Sequence, residues 1–305
     1  MASLYTQESK NVLRTWLLMS VFLAIVVAAG WALSLYLNDT TVLYVAVLFA
    51  LVSNVGAYWF SDKIAISSTG AHPADEEQFK ELHRIVENLS ITAGLPKPRV
   101  YIIDDPAPNA FATGRDKNHA VIAVTTGLLN IMERSELEGV IAHELSHVGN
   151  RDIQVMTVAV VLVGFISALA NIALRMSYFG GDRRDKNAGP LIAIAVIAAM
   201  ILAPIAAQLI QLAISRKREF LADADGALLT RYPDALASAL DKIGKYDAPM
   251  QRASTTTAHL FISNPFGGHP AGAWLQKLFS THPPIPERIA ALQGIHLNSG
   301  GGEAV

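Results

Sequence analysis

Four stretches of the chain are apolar and uncharged over 20 or more residues: Thr15–Leu37, Thr41–Phe60, Ile153–Leu174 and Leu191–Ile214. Each is long enough, as a helix rising 1.5 Å per residue, to cross a hydrocarbon layer of about 30 Å. Trp16, Trp31, Tyr36, Tyr58 and Trp59 sit near the ends of the first two, where aromatic rings anchor at a membrane–water interface. The first stretch follows Lys10 and Arg14, as a secretion signal would, but it exceeds the usual 7–15-residue signal core and a second stretch follows almost at once. It therefore reads as a retained span, paired with the second through Asn38-Asp39-Thr40.

Between these hydrophobic blocks the pattern changes. Phe79, Leu82, Val86 and Leu89 recur at helical spacing, which predicts an amphipathic helix over Ala74–Ala93 with Gly94 as its stop. Val100–Ile103 and Val121–Val124 read as short buried strands, and Asn109–Gly114 as an edge strand before a turn at Arg115–Asn118. Ser135-Glu136-Leu137-Glu138 matches a capping box and predicts a helix from that point. Ser215–Ala227 reads as another helix, residues 231–293 as further helix and loop, and the Gly-rich end from Ser299 as a flexible tail. The resulting organisation is a hydrophobic hairpin (1–60), a polar segment (61–152), a second hydrophobic hairpin (153–214), a second polar segment (215–298) and a tail (299–305).

Composition agrees with a membrane protein. Of 305 residues 51% are hydrophobic and 16% charged, against about 25% charged in an ordinary soluble domain. The net charge of −2 gives no electrostatic case for nucleic acid, and the lack of cysteine excludes disulfides and thiolate metal sites. Lys10, Arg14 and Lys63 lie on one side of the first hairpin, which by the positive-inside rule puts the amino terminus and the polar segments in the cytoplasm. The linker Arg175–Asn187 is also basic, so the third and fourth stretches either cross fully against that rule or only partly enter the bilayer.

The chemistry is concentrated in His143-Glu144-Leu145-Ser146-His147, an HExxH pattern inside a predicted helix. Residues four apart share a helix face, so His143 and His147 can present two imidazole nitrogens to one zinc ion. Glu144 is turned about 100° from His143, close enough to act on a water at the metal without being a ligand. A third protein ligand is then needed. The second hydrophobic hairpin returns the chain to the face that His147 leaves, which brings Glu219 and Asp223 beside the HExxH helix. One of these acids can bind metal while the other orients an imidazole through its free N–H. A charged collar at a helix exit is the competing reading of Arg216–Asp225. His72, His83, His119, His259, His269 and His296 have no comparable spacing.

HExxH, a pair of spans, and Arg216-Lys-Arg-Glu219-Phe-Leu-Ala-Asp223 together resemble the HtpX-type membrane metalloproteases, relatives of the CAAX prenyl endopeptidases. Asn109-Ala-Phe-Ala-Thr-Gly114 and Thr281-His282-Pro-Pro-Ile-Pro-Glu-Arg288 match further motifs of that family, in its order. The resemblance implies a mainly α membrane protein: four hydrophobic helices with an α+β zincin-like cytoplasmic metalloprotease domain. It implies that His143, His147 and Glu219 bind one Zn2+ per chain, that Glu144 is the general base, and that Asp223 supports a ligand. His282 would stabilise the transition state, and Asn109, Ala110, Phe111 and Ala112 would pair with extended substrate backbone by strand addition. The implied activity is a zinc endopeptidase of the inner (cytoplasmic) membrane, multi-pass, with its site facing the cytoplasm. Its partners would be the lipid bilayer and misfolded or membrane-associated proteins, taken as extended or unfolded chain in quality control and the stress response. A narrow processing protease is disfavoured because four spans are too few for a large intramembrane chamber. The reading from another class is a non-enzymatic membrane scaffold or transporter with an incidental HExxH.

Overall fold

The computed structural model describes residues 4–179, 215–252, 254, 257–267 and 283–299. The chain begins with α1 (Leu4–Leu37), which turns at Asn38–Thr40 into α2 (Thr41–Trp59). Their inward faces meet through Leu18, Phe22, Val26, Ala50 and Ala57. Their outward faces leave Trp16, Leu17, Trp31, Leu35, Tyr44, Leu48, Val52 and Trp59 more than half exposed or nearly so. Water would not tolerate so continuous an apolar surface, whereas lipid would. The short helix α3 (Ser61–Thr69) then leads into the polar part of the chain.

A four-stranded sheet follows, in the order β1 (His72–Pro73), β2 (Arg99–Ile103), β4 (Val121–Thr125), β3 (Ala110–Thr113). β2 and β4 are parallel, and β1 and β3 run antiparallel to their neighbours. The expected edge strand is thus an edge, one register step inside its predicted limits. The amphipathic helix is shorter than the pattern predicts: α4 covers Lys80–Ala93. Pro73 is spent in β1, and the Asp75 carboxylate accepts the Glu77 and Gln78 N–H groups, holding the intervening residues in a turn. Gly94 ends the helix in the left-handed conformation, φ 67°.

After α5 (Thr126–Ile131) comes α6 (Arg134–Gly149), which starts before the predicted capping box. The box is shifted by two residues: the Glu133 N–H donates to Glu136 at 2.8 Å. The same Glu136 carboxylate binds Lys242 and Ser238, so tertiary partners select this register. A sharp bend follows at Arg151, which takes φ 57°, and α7 (Asp152–Phe179) departs at 81° to α6. Its first half is buried against α1, α2, α3 and β3. Then come α8 (Arg216–Thr230), α9 (Pro233–Gly244) and α10 (Ile285–Ser299). The main core lies between α4, the sheet, α6, α9 and α10, from Ile85, Ile122, Ile141, Leu145, Leu236 and Leu292 among others.

Among the described residues, two helices are long and apolar enough to cross a membrane, or three if α6 and the first part of α7 count as one broken span. The fourth hydrophobic stretch, Leu191–Ile214, lies outside the described residues, so the expected set of four reduces here to a mostly helical membrane protein with a small sheet.

Candidate metal centre

α6 runs through the core and presents His143 and His147 on one face, 1% and 5% exposed. α8 crosses it at unusually close range. A Cβ at Gly226 would sit 3.0 Å from the His143 backbone nitrogen, so glycine lets the two helices pack backbone to backbone. This contact brings Glu219, in the first turn of α8, to the histidines. His143 Nε2 lies 3.2 Å from His147 Nε2, and these atoms are 3.8 and 3.7 Å from the two Glu219 oxygens. A tetrahedral ion with ligand bonds near 2.0–2.1 Å needs its ligand atoms about 3.3 Å apart. His143, His147 and Glu219, all buried, are the group among the described residues that could hold a metal ion.

The chemistry of the donors agrees with that spacing. His143 Nδ1 is 2.9 Å from Asp223 Oδ1, and Arg288 grips the same carboxylate through Nε at 2.8 Å and Nη2 at 2.6 Å. Burial alone would raise Asp223, but the guanidinium wins and holds it well below the usual carboxylate range. An ionised carboxylate only accepts, so His143 Nδ1 carries the proton and donates it. His147 Nδ1 is likewise 3.1 Å from Asp152 Oδ2. Both Nδ1 positions are thereby spoken for, and two Nε2 atoms face each other at a separation that calls for a shared cation.

The surroundings act on the two imidazoles in opposite directions. Burial pushes His143 down to about 4, helped by the charges of Arg288 and His147. Burial also works against charge on His147, but its bond to Asp152 and the charge of Glu219 outweigh it and push it up to about 9. Glu144, 2% exposed, is pushed up to about 7 by burial, with Glu219 adding to the rise. His147, Arg288 and the Ala112 backbone N–H act in the opposite direction on the Glu144 carboxyl. A buried carboxyl group on the same helix as the two imidazoles is placed to take and return a proton beside them.

Ala112 belongs to β3, so the edge strand and Glu144 are in direct contact. Farther along that edge the chain covers itself. The Ala110 carbonyl accepts the Ile262 N–H at 2.9 Å, Phe111 forms a bridge to Phe261, and the Asn109 side chain binds both Ser263 N and Ser263 O. Asn109 and Ala110 therefore hold a neighbouring segment, while Ala112 lies beside Glu144. His282 lies outside the described residues.

Three side chains that sequence reasoning passed over are part of this construction. Arg288, the last residue of the Thr281–Arg288 motif and given no role there, is fully buried, pairs with Asp223 and donates to the Ile262 carbonyl at 3.0 Å. Asp152, at the end of the polar segment 61–152, holds His147. Asn11, at the start of the first hydrophobic helix, donates to Asp152. Neither Asp152 nor Asn11 lies at a spacing from His147 that a sequence motif marks.

An HExxH helix crossed by a helix that supplies a carboxylate, under a small sheet and beside apolar helices, defines a membrane-associated metallopeptidase. The chain belongs to peptidase family M48, whose model matches residues 76–296. It is 49% identical over 300 residues to a protease HtpX homolog of Caldanaerobacter subterraneus subsp. tengcongensis, covering 96% of this chain and 98% of that one. It is 48% identical over 289 residues to a protease HtpX homolog of Pyrococcus furiosus, covering 94% and 96%. A crystal structure of S. mikatae Ste24p is also similar, at 19% identity and a TM-score of 0.49, over 95% of this chain and 66% of that chain. The chain is thus a membrane metalloprotease acting on protein substrates, and the scaffold or transporter reading falls.

Proposed function

We propose that the chain is a zinc endopeptidase of the inner membrane that cleaves misfolded or membrane-associated proteins at the cytoplasmic face. The observation that carries this reading is the convergence of His143 Nε2, His147 Nε2 and Glu219 at 3.2–3.8 Å, with both Nδ1 atoms tied to carboxylates. Two imidazoles and one carboxylate, with no thiol in the chain, make a donor set suited to catalytic zinc. When bound, zinc supplies Lewis-acid chemistry: it acidifies water towards neutral pH and polarises a carbonyl.

The chain's own residues do the rest. Glu144, buried beside the ligands on the same helix, takes a proton from the attacking water and passes it to the leaving amine nitrogen. Asp223 and Asp152 hold the two imidazoles in the tautomer that leaves Nε2 free. The substrate backbone adds along β3 at Ala112, whose C=O points by alternation to the same outer edge as the Ala110 carbonyl, while its N–H holds Glu144. Recognition through main-chain groups fits a broad range of extended substrates. The cytoplasmic orientation rests on Lys10, Arg14 and Lys63 flanking one side of the first hairpin. Residues 61–152 and 215–298 form the two parts of one protease domain, interrupted by the hydrophobic segment 153–214.

The test is cleavage of unfolded casein by detergent-purified protein, wild type beside Glu144→Gln, with metal assayed in both. One zinc per chain in each, with cleavage by the wild type alone, is the expected result. Cleavage retained in Glu144→Gln would overturn the role given to that residue.

A further inference from the structure

Beyond the Asp223–Arg288 pair, a second buried polar cluster lies where the first membrane helix meets the bend between α6 and α7. Asn11 sits there, 1% exposed, near the start of a helix that is otherwise a hydrophobic span. Its Nδ2 donates to Asp152 Oδ1 at 2.7 Å and to the Asn150 carbonyl at 2.8 Å. Its Oδ1 accepts from Arg218 Nη1 at 3.3 Å. One turn earlier, Glu8 pairs with Arg151 at 2.6 Å and with Lys117 at 3.0 Å. The amino-terminal turns of α1 therefore leave the lipid-facing part of the helix and dock on the bend itself.

Asp152 is the centre of this cluster. One oxygen, Oδ2, holds His147 Nδ1 at 3.1 Å; the other, Oδ1, meets Asn11 and, at 3.4 Å, Arg218 Nε. Left alone, a guanidinium and a carboxylate at this range favour a two-pronged pair that engages both carboxylate oxygens. Here both neighbours stay on one oxygen: the Asn11 amide donates to Oδ1 at 2.7 Å, Arg218 Nε faces the same Oδ1, and Arg218 is also held to Asn11 through Nη1. Oδ2 is thereby kept for the imidazole.

We propose that Asn11 is a positioning residue of the metal centre, by which the first membrane helix orients Asp152 and, through it, His147. This rests on the reading of His143, His147 and Glu219 as metal ligands. The first helix is then part of the catalytic construction as well as an anchor. Partners that orient a ligating histidine change metal affinity by about 10–100-fold when removed, and one step farther out the expected loss is at the lower end, about tenfold.

The experiment uses full-length protein in detergent, stripped of metal and titrated with Co2+ against a competing chelator, with the visible absorption of the bound ion recorded. Asn11→Leu and the near-isosteric Asn11→Asp should each bind Co2+ about tenfold more weakly than wild type, with an altered absorption envelope. Glu8→Gln, which loosens the same helix without touching Asp152, should match wild type. If Asn11→Leu fails to accumulate, Asn11→Asp is read in the same way. Affinity and spectrum unchanged in the Asn11 variants would overturn the proposal, and so would an equal loss in Glu8→Gln. A wild type that binds no Co2+ would overturn the ligand assignment itself and this proposal with it.

Discussion

His143 and His147 stand one turn apart on α6 and face the same point, yet they are held from opposite sides of the molecule. His143 is held from within the polar domain, by Asp223 of α8 under a two-pronged grip from Arg288 of α10. His147 is held at the membrane junction, by Asp152 across the bend, with Asn11 of α1 and Arg218 behind it. The first support is a closed ion pair whose charges neutralise each other. The second is a shared carboxylate whose orientation depends on a neutral amide from a membrane helix. One half of the centre can be built by a folded domain alone, and the other half needs the span.

That asymmetry can be broken most strongly on the closed side. Arg288→Met leaves the Asp223 charge buried without its partner, which should cost about 3–5 kcal/mol of stability, read as a large fall in the thermal midpoint in detergent. Next come the two supporting carboxylates. Asp223→Asn and Asp152→Asn should each weaken metal binding about 10–100-fold in a chelator titration. Asp223→Asn should lower stability more, because fully buried Arg288 grips that carboxylate with two nitrogens, whereas Arg218 meets Asp152 at 3.4 Å through one. Equal stability losses in the two variants would mean that the supports are built alike.

The smallest effect lies away from both supports, at Glu136 between α6 and α9. Burial would raise its carboxyl, but bonds from Lys242, Ser238 and the Glu133 N–H overcome this and lower it below 4.5. A carboxyl lowered by folding contributes stability above its unfolded pKa, and that contribution is lost as pH falls through the folded value. Thermal stability should therefore decline on acidification below about pH 4.5, by about 1 kcal/mol or less from this pair. Glu136→Gln should flatten that decline; an unchanged acid limb would remove Glu136 as its source.

What could be read from the sequence follows the range of the interactions. The two hydrophobic helices, the strands and the Gly94 stop are written in local periodicity, and the pairing of His143 with His147 in helix geometry. The approach of Glu219 needed one further step, the return of a hydrophobic hairpin. The start of α4 was misplaced because an Asp75 side-chain turn overrode helical spacing, and the start of α6 because Glu136 has partners about 100 residues away. Asp152 escaped because it reaches His147 across a bend at Arg151 rather than at helical spacing. Asn11 and Arg288 meet their partners across 141 and 65 residues, and no local pattern encodes such contacts.

The central claim is that His143, His147 and Glu219 hold one metal ion. It is tested most directly by metal content and zinc-edge X-ray absorption on wild type and Glu219→Ala, purified in parallel in detergent. The account predicts one zinc per wild-type chain in a nitrogen and oxygen shell containing two imidazoles, and loss of the ion in Glu219→Ala. Full zinc content with an unchanged absorption spectrum in Glu219→Ala would contradict it.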